Sequence, residues 1–197
     1  MKNSKYGVFK FPCFTQEQVK TINDKIKENI FQKEDSSYAA KNLKKGNFSF
    51  VRCVPLMEWL HPWLYQCQQG NKEIFGYDIY WHFHLDTLNY NVYGINDEYG
   101  WHKDASGNAA QYDIKLTCML NLSEEPYEGG EFKITGTSDK IIFNSGEGLL
   151  FNSLVAHKVT PVTKGKRITL SYYFRFNAGV SEQFMGIFME FFLVAQL

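Results

Sequence analysis

The sequence has no excess of charge of either sign. Its 21 Lys and Arg balance 21 Asp and Glu across 197 residues, so the formal net charge is zero. Proteins that grip a polyanion by neutralising its phosphates are usually net basic, and sequence-independent nucleic-acid binding is therefore not expected. A long apolar run is also missing. The most apolar stretch, 184–197, is broken by Glu190 and is too short to span a bilayer, so no membrane insertion is expected. There is no Cys-x-x-Cys pair: Cys13, Cys53, Cys67 and Cys118 are scattered. Residues 1–5 lack the apolar segment of a secretory signal. Together these absences predict a reducing, cytoplasmic setting in which the thiols are small buried hydrophobes. No repeat or low-complexity segment is present. With 44% hydrophobic and 21% charged residues, a disordered or collagen-like chain is excluded.

The length suits one domain and a sizeable core. Aromatics are abundant, with 17 Phe, 12 Tyr and 4 Trp. They favour a β-rich interior or the walls of a pocket. Charge is unevenly placed. Residues 1–50 hold ten Lys against five acids, which reads as the solvated face of a helix. Residues 15–31 predict an amphipathic helix: Thr15 can cap it, Gln18 completes a capping box, and Val19, Ile22, Ile26 and Ile30 share one face. A polar loop over 33–47 follows, then a second helix over 55–69 with Leu56, Leu60, Leu64 and Cys67 aligned. Beyond Gly76 the texture becomes strand-like. Residues 78–93 alternate, and the runs 114–122, 131–134, 148–151 and 167–176 lie between Gly, Asn and Ser clusters. The pattern predicts a mainly β sandwich or barrel. We read residues 1–197 as one domain: 1–76 is mostly helical support, 77–177 the β core, and 178–197 an apolar extension that packs on the core or forms a dimer contact.

The chemistry rests on five histidines. Two begin a His-x-Asp triplet, His84-Leu85-Asp86 and His102-Lys103-Asp104. On a strand, positions i and i+2 point to the same side, so an imidazole and a carboxylate can take adjacent corners of a metal site. A third histidine completes a facial triad of the kind that suits non-haem Fe(II) oxygenases. With five His and eight Asp, chance alone yields about 0.2 such triplets, so the triplet by itself is weak. Context separates the two. His82, His84 and Asp86 lie inside an aromatic strand-like run and read as one face of it. His102 and Asp104 follow a loop punctuated by Gly94 and Gly100, where side chains are accessible. A strand over 116–122, the turn Gly129-Gly130, a run 148–151, His157 and finally Arg167 then follow in order.

That ordered set resembles the Fe(II)/2-oxoglutarate dioxygenases, and within them the prolyl 4-hydroxylase-like group that includes the PKHD-type bacterial hydroxylases. The matching residues are Tyr93, Tyr99, His102, Asp104, Leu122, Gly129, Gly130, Glu131, Gly148, Phe151, His157, Val159, Gly165 and Arg167, within 88–176. The resemblance implies a double-stranded β-helix, or jelly roll, with iron held by His102, Asp104 and His157. It implies that the far carboxylate of 2-oxoglutarate meets Arg167, whose guanidinium offers two parallel bonds. It also implies contacts to the cosubstrate from Tyr93 and Asn121, with Tyr99, Trp101 and Tyr173 lining the way to substrate. The implied reaction hydroxylates an unactivated C–H bond, with O2 consumed, succinate and CO2 released, and ascorbate as reductant. The substrate implied is a peptide or protein side chain such as proline, or a small molecule. A nucleic-acid dealkylase is disfavoured, because Arg175 lies eight residues after Arg167 and misses the paired-arginine spacing of the AlkB-like enzymes. The alternative from another class is a cupin-like or lectin-like jelly-roll binding protein without catalysis.

Overall fold

The structure, a computed structural model, describes residues 4–5, 7–34, 43–79, 87–105 and 114–175. His82, His84, Asp86 and the 178–197 extension lie outside the described residues. The elements are β1 (Ser4–Lys5), β2 (Val8–Pro12), α1 (Gln16–Glu28), β3 (Ile30–Glu34), β4 (Asn47–Arg52), α2 (Met57–Gly70), β5 (Thr87–Tyr93), β6 (Tyr99–His102) and β7 (Ile114–Asn121). They continue with β8 (Glu128–Gly129), β9 (Phe132–Ile134), β10 (Glu147–Asn152), β11 (His157–Val159), β12 (Val162–Lys164) and β13 (Arg167–Arg175).

Helix α1 begins where its sequence demands. The Thr15 side chain accepts from the Gln18 amide, and the Gln18 side chain accepts from the Thr15 amide, closing the capping box. Val19, Ile22 and Ile26 are buried along one face, while Lys20, Asp24 and Lys27 pair on the solvent side. A single 3-10 turn over Val54–Leu56 leads into α2, which buries Leu60, Trp63, Leu64 and Cys67. No described helix is long and apolar enough to cross a membrane. Cys53, Cys67 and Cys118 are buried free thiols and Cys13 is partly buried, as the scattered cysteines predict.

Eight strands form the major sheet in the order β1-β2-β10-β7-β13-β5-β4-β3, every neighbouring pair antiparallel. A smaller sheet, β6-β11-β9, and the pair β12-β8 complete the roll. The region 1–76, read as mostly helical, thus supplies strands β1 to β4 as well as helices α1 and α2. The polar segment read as a loop over 33–47 begins with the last two residues of β3 and ends with the first of β4, and Phe31 of β3 stacks on Phe50 of β4 where the two strands pair.

The three central strands β5, β7 and β13 carry two faces of opposite character. Their even positions (Leu88, Tyr90; Leu116, Cys118, Leu120; Leu170, Tyr172, Phe174) join α1 and α2 in the main apolar core. Their odd positions face the smaller sheet, where Met119, Phe132, Ile134, Leu149 and Phe151 form a second core. The rest of that inner face is polar: Asn89, Asn91 and Tyr93 on β5, Thr117 and Asn121 on β7, and Arg167, Thr169, Ser171 and Tyr173 on β13. Leu120 sits at the centre of the apolar face, fully buried between Gly148 and Leu170 on the flanking strands. Leu120→Ala is expected to destabilise the protein by about 2–5 kcal/mol, and Thr15→Ala by about 1 kcal/mol. Urea unfolding at constant m-value reads both.

Candidate metal and cosubstrate site

The smaller sheet carries the first histidine and the third. β6 and β11 pair so that His102 lies opposite His157 and Tyr99 opposite Val159, which leaves one extra residue on β6. This bulge turns both Tyr99 and His102 inward, where regular alternation would separate them. Their rings stack with centroids 3.5 Å apart and 12° between planes. Asp104 is not on a strand. β6 ends at His102, and the chain bends so that the amides of Asp104 and Ala105 both donate to the Ser153 carbonyl, at 3.1 and 3.2 Å. The bend after β6, rather than strand pleating, thus brings the carboxylate beside the imidazole.

The three side chains converge. Asp104 Oδ1 is 3.6 Å from His102 Nε2, and Asp104 Oδ2 is 3.4 Å from His157 Nε2. The ligand atoms of the three residues all lie within 4.8 Å of one another, close enough to share one metal ion. Each imidazole is oriented by its other nitrogen, His102 Nδ1 to the Gly100 carbonyl at 2.8 Å and His157 Nδ1 to the Val155 carbonyl at 3.0 Å. With Nδ1 acting as donor, Nε2 is left unprotonated and free to coordinate. The Thr117 hydroxyl donates to Asp104 Oδ2 at 2.7 Å and shares a 2.8 Å hydrogen bond with Ser153 Oγ, which holds the carboxylate in place. Burial alone would raise the Asp104 carboxyl. The two imidazoles beside it, His102 first, and the Thr117 hydrogen bond outweigh it and hold the group below the usual carboxylate range. Burial, together with His102, pulls His157 below the usual imidazole range against the attraction of Asp104.

The same cavity runs from this triad to Arg167, past Lys44, Asn91, Tyr93, Thr169, Ser171 and Tyr173. Arg167 is 1% exposed. Its Nε and Nη2 are buried and have no hydrogen-bond partner among the described residues. A buried guanidinium in that state is costly unless an anion reaches it. Gly130 makes room for it: with φ at +57°, an added Cβ would come within 2.9 Å of Arg167 Cδ. Its neighbour Gly129, at φ +71°, is pressed against the Pro161 carbonyl, so the Gly-Gly turn is a packing requirement. Tyr93 is paired with Arg167 across the sheet and lies under its guanidinium, 5.4 Å from ring centroid to Cζ. Burial pushes the Tyr93 phenol up, opposed by Arg167. Tyr173 is partly buried and also lines the cavity, its hydroxyl near Asn89 Nδ2 at 3.4 Å.

Two residues read from the sequence lie elsewhere. Asn121 has the inward parity, but its amide donates to the Phe143 carbonyl at 2.7 Å and to the Tyr127 hydroxyl at 3.4 Å, and its oxygen accepts from the Ser123 amide at 2.9 Å. It ties neighbouring loops together and does not line the cavity, so a cosubstrate contact from Asn121 has no free polar atom to make it. Trp101, inside the bulge, is 46% exposed and packs under the Lys158 ammonium outside the cavity. Sequence reasoning missed Thr117, Ser153, Asn91 and Lys44. Lys44 comes from the segment read as a solvated loop, yet it is only 9% exposed. Burial lowers its ammonium to about 8, with Asp104 opposing and Arg167 adding to the fall.

Residues 88–175 match the family model of the 2OG-Fe(II) oxygenase superfamily. A PKHD-type hydroxylase from Picosynechococcus sp. is 31% identical over 166 residues, covering 81% of this chain and 74% of that protein. A PKHD-type hydroxylase from Alteromonas mediterranea is 39% identical over 88 residues, 40% of this chain and 38% of that protein. With that protein and another from Janthinobacterium sp., the match spans only 38% and 41% of the relative's length. The fold is that of a Pseudomonas putida prolyl-4-hydroxylase, with a TM-score of 0.64 at 17% identity over 87% of this chain and 94% of that one. It is equally that of a viral collagen prolyl hydroxylase from Paramecium Bursaria Chlorella virus-1, with a TM-score of 0.64 at 16% identity over 85% and 95%. The jelly roll expected from the sequence is thus the architecture found, and the chain belongs to the PKHD-type hydroxylases of the 2OG-Fe(II) oxygenase superfamily.

Proposed function

We propose that this protein is an Fe(II)- and 2-oxoglutarate-dependent hydroxylase in which His102, Asp104 and His157 hold the iron and Arg167 receives the far carboxylate of 2-oxoglutarate. The observation that carries this reading is the pair of features sharing one cavity: a buried guanidinium whose Nε and Nη2 meet no hydrogen-bond partner among the described residues, and a two-histidine, one-carboxylate group with both Nε2 atoms free. A purely binding jelly roll has no need for that buried cation. The donor set fits a first-row metal that must keep open positions. Bound iron, supplied with 2-oxoglutarate and O2, provides the oxidising chemistry that hydroxylates an unactivated C–H bond and releases succinate and CO2. The protein's own part is positional. The backbone carbonyls of Gly100 and Val155 fix the histidine tautomers, and the Thr117 hydroxyl fixes the carboxylate. Tyr93 packs against the guanidinium and, with Tyr173, lines the buried path towards the triad. No side-chain acid or base is required.

A peptidyl residue such as proline is the substrate class we favour. It is supported by the prolyl-4-hydroxylase of Pseudomonas putida and by a prolyl hydroxylase from Trichoplax adhaerens in complex with a peptide fragment, which has a TM-score of 0.65 at 14% identity over 86% of this chain and 83% of that one. Tyr99 stands beside His102 on the cavity wall and Trp101 projects outside it, where an incoming peptide would meet them. Ascorbate would serve as reductant and the cytoplasm as the setting.

The test is release of labelled CO2 from 1-labelled 2-oxoglutarate with Fe(II) and ascorbate, alongside the visible charge-transfer band of the anaerobic Fe(II) and 2-oxoglutarate complex. Folded protein giving neither would sink the proposal. His102→Ala is expected to abolish both signals while keeping the native circular dichroism. Thr117→Val should leave the fold intact and weaken Mn(II) binding roughly 10- to 100-fold, as loss of a partner that orients a metal ligand does. Unchanged Mn(II) affinity would show that the hydroxyl has no such role.

A further inference from the structure

The segment Leu43–Lys45 lies along the free edge of β6. The Gly100 amide donates to the Leu43 carbonyl at 2.7 Å, the Lys45 amide donates to the Glu98 carbonyl at 2.8 Å, and Lys44 bridges Tyr99. Gly100 permits this approach, since a Cβ there would sit 3.1 Å from Leu43 Cδ2. The pairing turns the Lys44 side chain into the roll. Its ammonium donates to Asn91 Oδ1 at 2.7 Å and lies 4.3 Å from the Phe48 ring centroid and 5.1 Å from that of Tyr99. Among the described residues no carboxylate lies within 4.0 Å of it. Among the described residues its hydrogen-bond acceptor is a neutral amide, although an ammonium carries three donors. A desolvated charge so poorly compensated is costly unless an anion completes its surroundings.

Its place on the sheet says where that anion would be. Asn91 is two residues from Tyr93 on β5 and pairs with Thr169, just as Tyr93 pairs with Arg167. The ammonium therefore lies one pleat along from the guanidinium, in the direction that Thr169, Ser171 and Tyr173 take towards Thr117. Lys44, Arg167 and the three triad residues line one cavity. We propose that Lys44 is a second cationic anchor for the 2-oxoglutarate dianion, donated by the N-terminal segment and standing on the cavity wall between Arg167 and the triad. The proposal rests on the cosubstrate reading above.

Charge gives the test its sign. A cation in the cavity must favour a dianion and disfavour a metal cation, so removing it moves the two affinities in opposite directions. A merely structural lysine would lower both or neither. Lys44→Met and Lys44→Gln are compared with the unmodified protein by calorimetry under anaerobic conditions, first with Mn(II) alone and then with 2-oxoglutarate added to the Mn(II)-loaded protein. Both variants are expected to bind 2-oxoglutarate roughly 10- to 100-fold more weakly, the range for losing a hydrogen bond to a charged group, while Mn(II) binds as tightly or more tightly. Gln can still donate to Asn91, so 2-oxoglutarate affinity restored in Lys44→Gln would overturn the proposal in favour of a structural hydrogen bond. Unchanged affinity in both variants would overturn it and leave the cosubstrate reading standing. If the unmodified Mn(II)-loaded protein fails to bind 2-oxoglutarate, both fall together.

Discussion

Everything in the site depends on the central strands β5, β7 and β13 being buried on both faces, with opposite chemistry on each. Even positions enter an apolar core beneath two helices, and odd positions build a polar wall inside the roll. Side chains on a strand alternate without exception except at bulges, so a slip of one residue would send Arg167 into the Leu and Phe layer and Leu170 into the cavity. The apolar face fixes the register, because exposing Leu116, Leu120 and Leu170 together would forfeit several kcal/mol of burial. The polar face inherits that precision. Arg167 and Tyr93 meet because Leu120 and Leu170 do.

The smaller sheet works by the opposite device. Its strands are short, and the site there is made by departures from regular pairing: a bulge in β6 and a bend after it. The bulge brings two inward residues, Tyr99 and His102, to positions that pleating would separate. The bend lets one carbonyl, that of Ser153, accept from the amides of both Asp104 and Ala105. The side chain of Ser153 then meets Thr117 and, through it, Asp104. One residue thus anchors both the backbone of the Asp104 segment and, through Thr117, its carboxylate.

Much of this was legible in the sequence. The capping box of α1, the aligned apolar residues of both helices and the strand runs from 114 onward follow from local periodicity. His102, Asp104, His157 and Arg167 emerged from their order and from the glycines between them, and the structure brings all four to one cavity. What escaped shows where local pattern ends. Lys44 lies in a lysine-rich stretch whose composition reads as solvated. Its burial comes from pairing with a strand more than fifty residues away, which no periodicity records. Thr117 and Ser153 look like ordinary strand and turn residues, and only their meeting across two strands gives them a role. Asn121 had the correct parity for the cavity, yet loop carbonyls and amides claimed its side chain first.

The pairing of Leu43–Lys45 with β6 has a topological consequence. An uncovered edge strand is a template on which another extended chain can add itself. Here the Gly100 amide and the Glu98 carbonyl already bond the protein's own segment. That edge is closed to an arriving peptide, so a polypeptide substrate would have to cross the mouth of the roll over Tyr99 and Trp101 instead of docking as a fourth strand of the smaller sheet. Selectivity for such a chain would then reside in the side chains around the opening, and backbone complementarity along the sheet would contribute little.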